Sequence, residues 1–141
     1  MATMQRQVTG VWHGDMRSGE GQIEAPSSAL EGISLTSPLR SENVKGTNPG
    51  ELLAAAQAAC FTQTFSNYLS ERGHVPQEIS TIATISQENG SINKMHLITT
   101  GRVEGLDNDQ FKQMAGEAEK VCAVSNLLRS GLSSSLEANL A

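Results

Sequence analysis

Long apolar runs are missing from this chain of 141 residues, and no stretch approaches the ~18 residues of a membrane span, so no membrane partner is expected. Residues 1–7 hold no apolar core of the kind that opens a secretory leader, so none is expected there. There is no lysine- or arginine-rich run and the formal net charge is -5. A phosphate backbone is held by clustered positive charge, so no nucleic acid is expected either. His13, His74 and His96 are scattered and no C-x-x-C or H-x-x-x-H spacing exists, which argues against a metal or other cofactor. The G-x-S-x-G elbow of triad hydrolases is absent. The loop Lys45-Gly46-Thr47-Asn48-Pro49-Gly50 precedes a helix and could offer free amides to an anion, but it lacks the Walker order, and a plain helix-entry loop is the simpler reading. Cysteines number only two. In a chain expected to stay in the cytoplasm they are reduced at rest, so a reactive or merely buried thiol is expected over a permanent disulfide.

What is present is ordinary for a globular protein: 38% apolar and 18% charged residues, and a length suited to one domain over 1–141. With one Trp, one Tyr and three Phe, small and aliphatic side chains must do most of the packing. The first third reads as short strands over 7–13, 21–25 and 32–36, broken by Gly14-Asp15 and Ser18-Gly19. Asn48 followed by Pro49 is a helix start, and the helix should run to about Arg72 and stop at Gly73, with Pro76 beyond. From Leu52 to Phe61 it has almost no polar face, and a helix apolar all round is normally buried all round, which in a chain this small suggests a partner subunit. Strands over 79–87 and 92–103 flank Asn89-Gly90, a tight hairpin signal. Asp107 or Asn108 then caps a second helix bearing Phe111, Met114, Ala115, Ala118, Val121 and Cys122 at helical spacing. A short helix over 125–129, broken by Gly131, and a last edge strand over 133–140 complete an α+β domain with an antiparallel sheet packed on a long central helix.

On composition alone the two cysteines need do nothing, because free Cys is among the most buried residue types and behaves as a small hydrophobe. A functional pair would need Cys122 brought close to Cys60 by the fold, and a positive group near Cys60, since the thiolate is the nucleophile.

The stretch Gly46-Thr47-Asn48-Pro49-Gly50-Glu51-Leu52-Leu53-Ala54-Ala55-Ala56-Gln57-Ala58-Ala59-Cys60-Phe61 closely resembles the G-T-N-P-E-E-L-x-x-A-x-x-A-C-F signature of the OsmC/Ohr family of peroxidases. Ala118-Glu119-Lys120-Val121-Cys122-Ala123-Val124-Ser125 is similar to the same family's A-x-x-x-C-P-V-S motif, and the interval between the cysteines fits. Trp12 with Gly14-Asp15 is similar to its opening hairpin, so the resemblance spans nearly the whole chain and lies closer to the OsmC branch. The resemblance implies an OsmC-like fold in an intertwined homodimer, and a cofactor-free, thiol-dependent peroxidase that reduces organic hydroperoxides to alcohols. It implies that Cys60 is oxidised to a sulfenic acid, that Cys122 resolves it as a disulfide, and that an external dithiol, a lipoyl-type carrier among the candidates, restores the pair. It also implies an activating arginine. Arg40, before Glu42 and Lys45, falls where the OsmC branch places it; Arg17 lies nearer the Ohr position and is the second choice.

Three positions depart from the pattern. The family's supporting glutamate is Gly50 here, and Glu51, one position late, falls about 180° around an ideal helix from Cys60. There it is expected to favour the positive helix N-terminus slightly more than to hold an arginine. Ala123 stands where the family usually has proline, and Gln57 occupies a position the family varies freely. Leu52, Leu53, Phe61, Met114 or Phe111 could wall an apolar pocket suited to alkyl hydroperoxides, although for most of them core packing is the simpler reading. The loss at Gly50 keeps an alternative open, a non-catalytic OsmC-like redox-sensing or small-molecule-binding protein. A structural protein with two inert thiols is a third possibility.

Overall fold

Turn chemistry places the elements. The computed structural model describes residues 3–39, 45–132 and 134–140, and the chain divides into two compact units, Met1–Leu52 and Leu53–Ala141. In the first, β1 (Thr9–His13), β2 (Glu20–Glu24) and β3 (Ile33–Leu35) form an antiparallel sheet in that order, with Trp12 opposite Gly21 and Ile23 opposite Ile33. The β1–β2 turn is tied by Asp15, whose carboxylate accepts the N–H of Arg17 and the N–H and hydroxyl of Ser18. Those bonds hold the carboxyl below its ordinary range, the Ser18 amide contributing most.

Residues 46–47 run beside β3, where the Thr47 N–H donates to Ser34 O at 2.8 Å and the Thr36 N–H to Thr47 O at 2.8 Å. Only glycine fits at 46, because a Cβ there would lie 2.6 Å from Ser34 O. Asn48 Oδ1 then accepts the Glu51 N–H at 2.8 Å, and Leu52 N–H donates to Asn48 O. These amides are spent on β3 and on the cap, so this segment is the helix-entry loop.

Helix α1 (Pro49–Glu71) carries the core of the second unit. Gln57, Phe61, Phe65 and Leu69 recur every fourth position and form its buried row. Phe65 meets Phe61 at 5.6 Å and Phe111 at 5.1 Å between ring centroids. The helix ends in a Schellman motif: Gly73 has φ +86°, its N–H donates to Ser70 O, and the His74 N–H reaches back to Leu69 O. Strands β4 (Glu78–Glu88) and β5 (Ser91–Arg102) follow, joined by Asn89 and Gly90, both at positive φ as a two-residue hairpin turn requires. One face of the hairpin turns Ile79, Thr81, Ala83, Leu97 and Thr99 inward. The Thr62 hydroxyl of α1 bonds to Thr81, which in turn contacts Thr99. Helix α2 (Asn108–Val121) opens on a reciprocal capping box between Asp107 and Gln110, and packs Ala118 and Phe111 against α1. Helix α3 (Ala123–Ser130) follows after the single residue Cys122 and stops at Gly131.

Three expectations need correction. The strands form two antiparallel sheets, one of three strands and one of two, rather than a single layer. On α1 the row ending at Leu69 is buried, whereas Ala55, Ala56 and Ala59 are exposed within the chain. Val121 is exposed because it stands off the Ala118–Cys122 row. Residues 134–140 form no strand, although Leu136, Ala138 and Leu140 alternate as one would; no described strand lies alongside to complete a ladder, and Leu136 remains 88% exposed.

Candidate active site: the Cys60–Cys122 pair

Cys60 lies on α1 and Cys122 at the corner where α2 ends and α3 begins, and the fold brings their sulfurs to 3.4 Å. Both are free thiols, Cys60 half-buried and Cys122 wholly buried. Bond formation needs about 2 Å between sulfurs, so closure requires only a small approach. The corner owes its shape to Cys122, whose extended backbone (φ -75°, ψ 120°) ends α2 while its carbonyl accepts the Asn126 N–H that begins α3.

No side chain caps the first turn of α3. Its open amides favour the ionised Cys60 sulfur. Burial pushes the Cys60 thiol up. The Val124 N–H, the Cys122 thiol, the Thr64 hydroxyl one turn along α1 and the Ala123 N–H, in decreasing order, together outweigh it and bring the thiol below its ordinary range. The donors are neutral, and the helix dipole adds in the same sense.

Gln57, one turn before Cys60, is buried together with Ser125, and its Nε2 donates to Ser125 Oγ at 2.8 Å. Its Oε1 accepts from Cys122 Sγ at 4.0 Å. A cavity of about 320 Å³ adjoins both residues, with apolar walls from Met95, Leu97 and Leu128. Phe61 is buried in the core, and Phe111 and Met114 pack against it, so they are core side chains rather than walls of that cavity. Arg129, on the cavity rim, is engaged by the Glu119 carboxylate and the Asn126 side chain.

Arg40 and Glu42 lie outside the described residues. Arg17 and Glu51 belong to the first unit, whereas both cysteines belong to the second. Arg17 sits in the β1–β2 turn, its N–H on Asp15. Glu51 accepts the Thr47 hydroxyl at 2.6 Å in the first turn of α1. Sequence reasoning missed Gln57, Ser125 and Thr64. Gln57 carried a signal, since it is the only polar residue of the α1 core row.

Comparison with known proteins gives concordant findings. A family model described as OsmC-like protein matches residues 41–137, which include both cysteines. The chain is 35% identical over 122 residues to Peroxiredoxin OsmC of Escherichia coli (strain K12), covering 84% of this chain and 85% of that one. Among solved structures, an OsmC like protein from Mycoplasma pneumoniae superposes with TM-score 0.73 at 15% identity, covering 92% of this chain and 91% of its own. The organic hydroperoxide resistance protein OhrB of Bacillus subtilis superposes with TM-score 0.62 at 20% identity, covering 89% and 92%. At these identities the two structures speak for the fold.

Proposed function

Because the chain belongs to the OsmC-like protein family, we propose that it is a thiol-dependent peroxidase that reduces organic hydroperoxides to alcohols. The observation that carries the reading is the Cys60–Cys122 approach of 3.4 Å, with Cys60 the half-buried, acidified member. The Cys60 thiolate attacks the terminal oxygen of the hydroperoxide. The O–O bond breaks, and the leaving alkoxide takes a proton to become the alcohol while sulfur keeps the hydroxyl as a sulfenic acid. Cys122 then attacks that sulfur. The S–O bond breaks, and the hydroxyl departs as water with the Cys122 proton, leaving a disulfide. An external dithiol, of lipoyl type in our reading, reduces it by two thiol–disulfide exchanges.

Arg40 is our choice for the activating arginine, with Arg17 and Glu51 as supporting candidates. The working form is a cytoplasmic homodimer of one 1–141 domain per subunit, without cofactor. The exposed Ala55, Ala56 and Ala59 of α1 support a dimer, since small side chains allow a second backbone to approach closely. The substitution at Gly50 favours a second reading, a redox-sensing or ligand-binding protein without turnover.

The test is consumption of cumene hydroperoxide and of hydrogen peroxide with a dithiol reductant, for wild type and Cys60→Ser. Faster loss of the organic peroxide, abolished by the substitution, is expected. Equal consumption by the two proteins would defeat the proposal, and no turnover by either would favour the second reading.

A further inference from the structure

The buried row of α1 reads Gln57, Phe61, Phe65, Leu69, and its first member is the odd one. A carboxamide taken from water into a core is costly unless both its ends find partners. At 2% exposure Gln57 has partners on both: the amide nitrogen donates to Ser125 Oγ, itself 3% exposed, and the carbonyl accepts from Cys122 Sγ. Ser125 is the third residue of α3, directly after Ala123 and Val124. One side chain therefore touches two residues of the α2–α3 corner from the helix turn just before Cys60.

We propose that Gln57 is a positioning residue that clamps the first turn of α3, holding the Cys122 sulfur and the amides of Ala123 and Val124 against Cys60. The clamp is neutral, so it adds no charge beside the reacting sulfur. The Cys122 thiol has one proton and two acceptors in reach, Cys60 Sγ at 3.4 Å and Gln57 Oε1 at 4.0 Å. It donates to Cys60 while that sulfur is a thiolate, and the carbonyl is the alternative when it is not. The inference deepens the reading above, because it says how the same pair is kept ready to react.

The test uses the whole protein and no peroxide. Gln57→Met keeps length and volume but removes both hydrogen bonds, and Ser125→Ala removes the anchor alone. Two quantities are measured: the Cys60–Cys122 disulfide equilibrium against reduced and oxidised dithiothreitol, and the pH profile of Cys60 alkylation. The ionisable and charged groups around the clamp are Cys60 on α1, Cys122 and Glu119 at the end of α2, and Arg129 on α3. Loss of the clamp lowers the disulfide equilibrium constant about three- to tenfold, the range one neutral hydrogen bond commands. It also moves the alkylation inflection upward. The double variant adds little to Gln57→Met, because that change already breaks the contact that Ser125→Ala removes.

Unchanged equilibrium constant and inflection in a folded Gln57→Met protein, whatever its melting temperature, would overturn the proposal. If Gln57→Met does not fold, Ser125→Ala decides by the same two readouts. Failure of wild type to consume hydroperoxide, with both readouts moved as expected, would remove the peroxidase reading and leave the clamp standing.

Discussion

Replacing Ala123 by proline deletes one donor to the Cys60 sulfur while leaving the helix that carries it intact. Ala123 is the first residue of α3, where the ring's fixed φ is already helical and the lost N–H has no partner within the helix. The residue before a proline must be extended, and Cys122 already is, at φ -75° and ψ 120°. Ala123 is exposed, so the ring has room. The N–H removed is the last of the four contributions that lower the Cys60 thiol. A hydrogen bond to a charged group is worth about 1.5–3 kcal/mol at full strength. For a half-buried sulfur and the weakest of the donors, solvent screening leaves less than that, so the thiol rises and its thiolate fraction at neutral pH falls. The folded state should meanwhile gain about 0.4–1 kcal/mol from the stiffer unfolded chain. Reactivity and stability therefore move in opposite directions. The assay is iodoacetamide alkylation of Cys60 as a function of pH in a Cys122→Ser background, alongside thermal unfolding. An alkylation profile that superposes on that of the parent, with Ala123→Pro folded and at least as stable, would refute the role given to the α3 amides.

Two further predictions concern the pair and its support. The Cys60 thiol ionises at lower pH in the folded chain than in the unfolded one, so it contributes stability that is full above the ordinary thiol range and lost as pH falls through the folded value. Unfolding titrations from neutral pH to about pH 9 should show this rise in wild type and not in Cys60→Ser. Phe65→Ala should cost about 3–5 kcal/mol, because the ring is wholly buried between Phe61 and Phe111; a cost below about 1 kcal/mol in urea unfolding would contradict the core described here.

Much of the fold was legible because its boundaries are written in local chemistry. Asn48-Pro49, Gly73, Asn89-Gly90 and Asp107 each act within a few residues, and each marks the observed boundary within one or two positions. The last strand failed for the opposite reason. Alternation at Leu136, Ala138 and Leu140 specifies a face, but a strand also needs a neighbour, and pairing is not a property of the segment itself.

The site divides along the same line. Cys60 and Cys122 were legible as residues, but their 3.4 Å approach and the contacts of Gln57 with the α2–α3 corner, across 65 to 68 positions, are encoded by no local pattern. A positive side chain beside Cys60 is the contribution that residue types can announce. Backbone amides that help lower the same thiol leave no trace in the sequence, because every residue except proline has one.

That exception gives the two departures from the family motif a physical relation. On the proposed reading, Gly50 leaves the activating arginine without the carboxylate the family motif has there, and a guanidinium on a long, rotatable side chain activates a thiolate only as well as something fixes it. Ala123, where the motif usually has proline, restores a donor at the thiolate that proline cannot supply. An amide in the first turn of a helix is held by the helix itself, so it needs no supporting carboxylate. On the reading proposed above, the two positions bear on one quantity, the charge state of Cys60, with opposite sign.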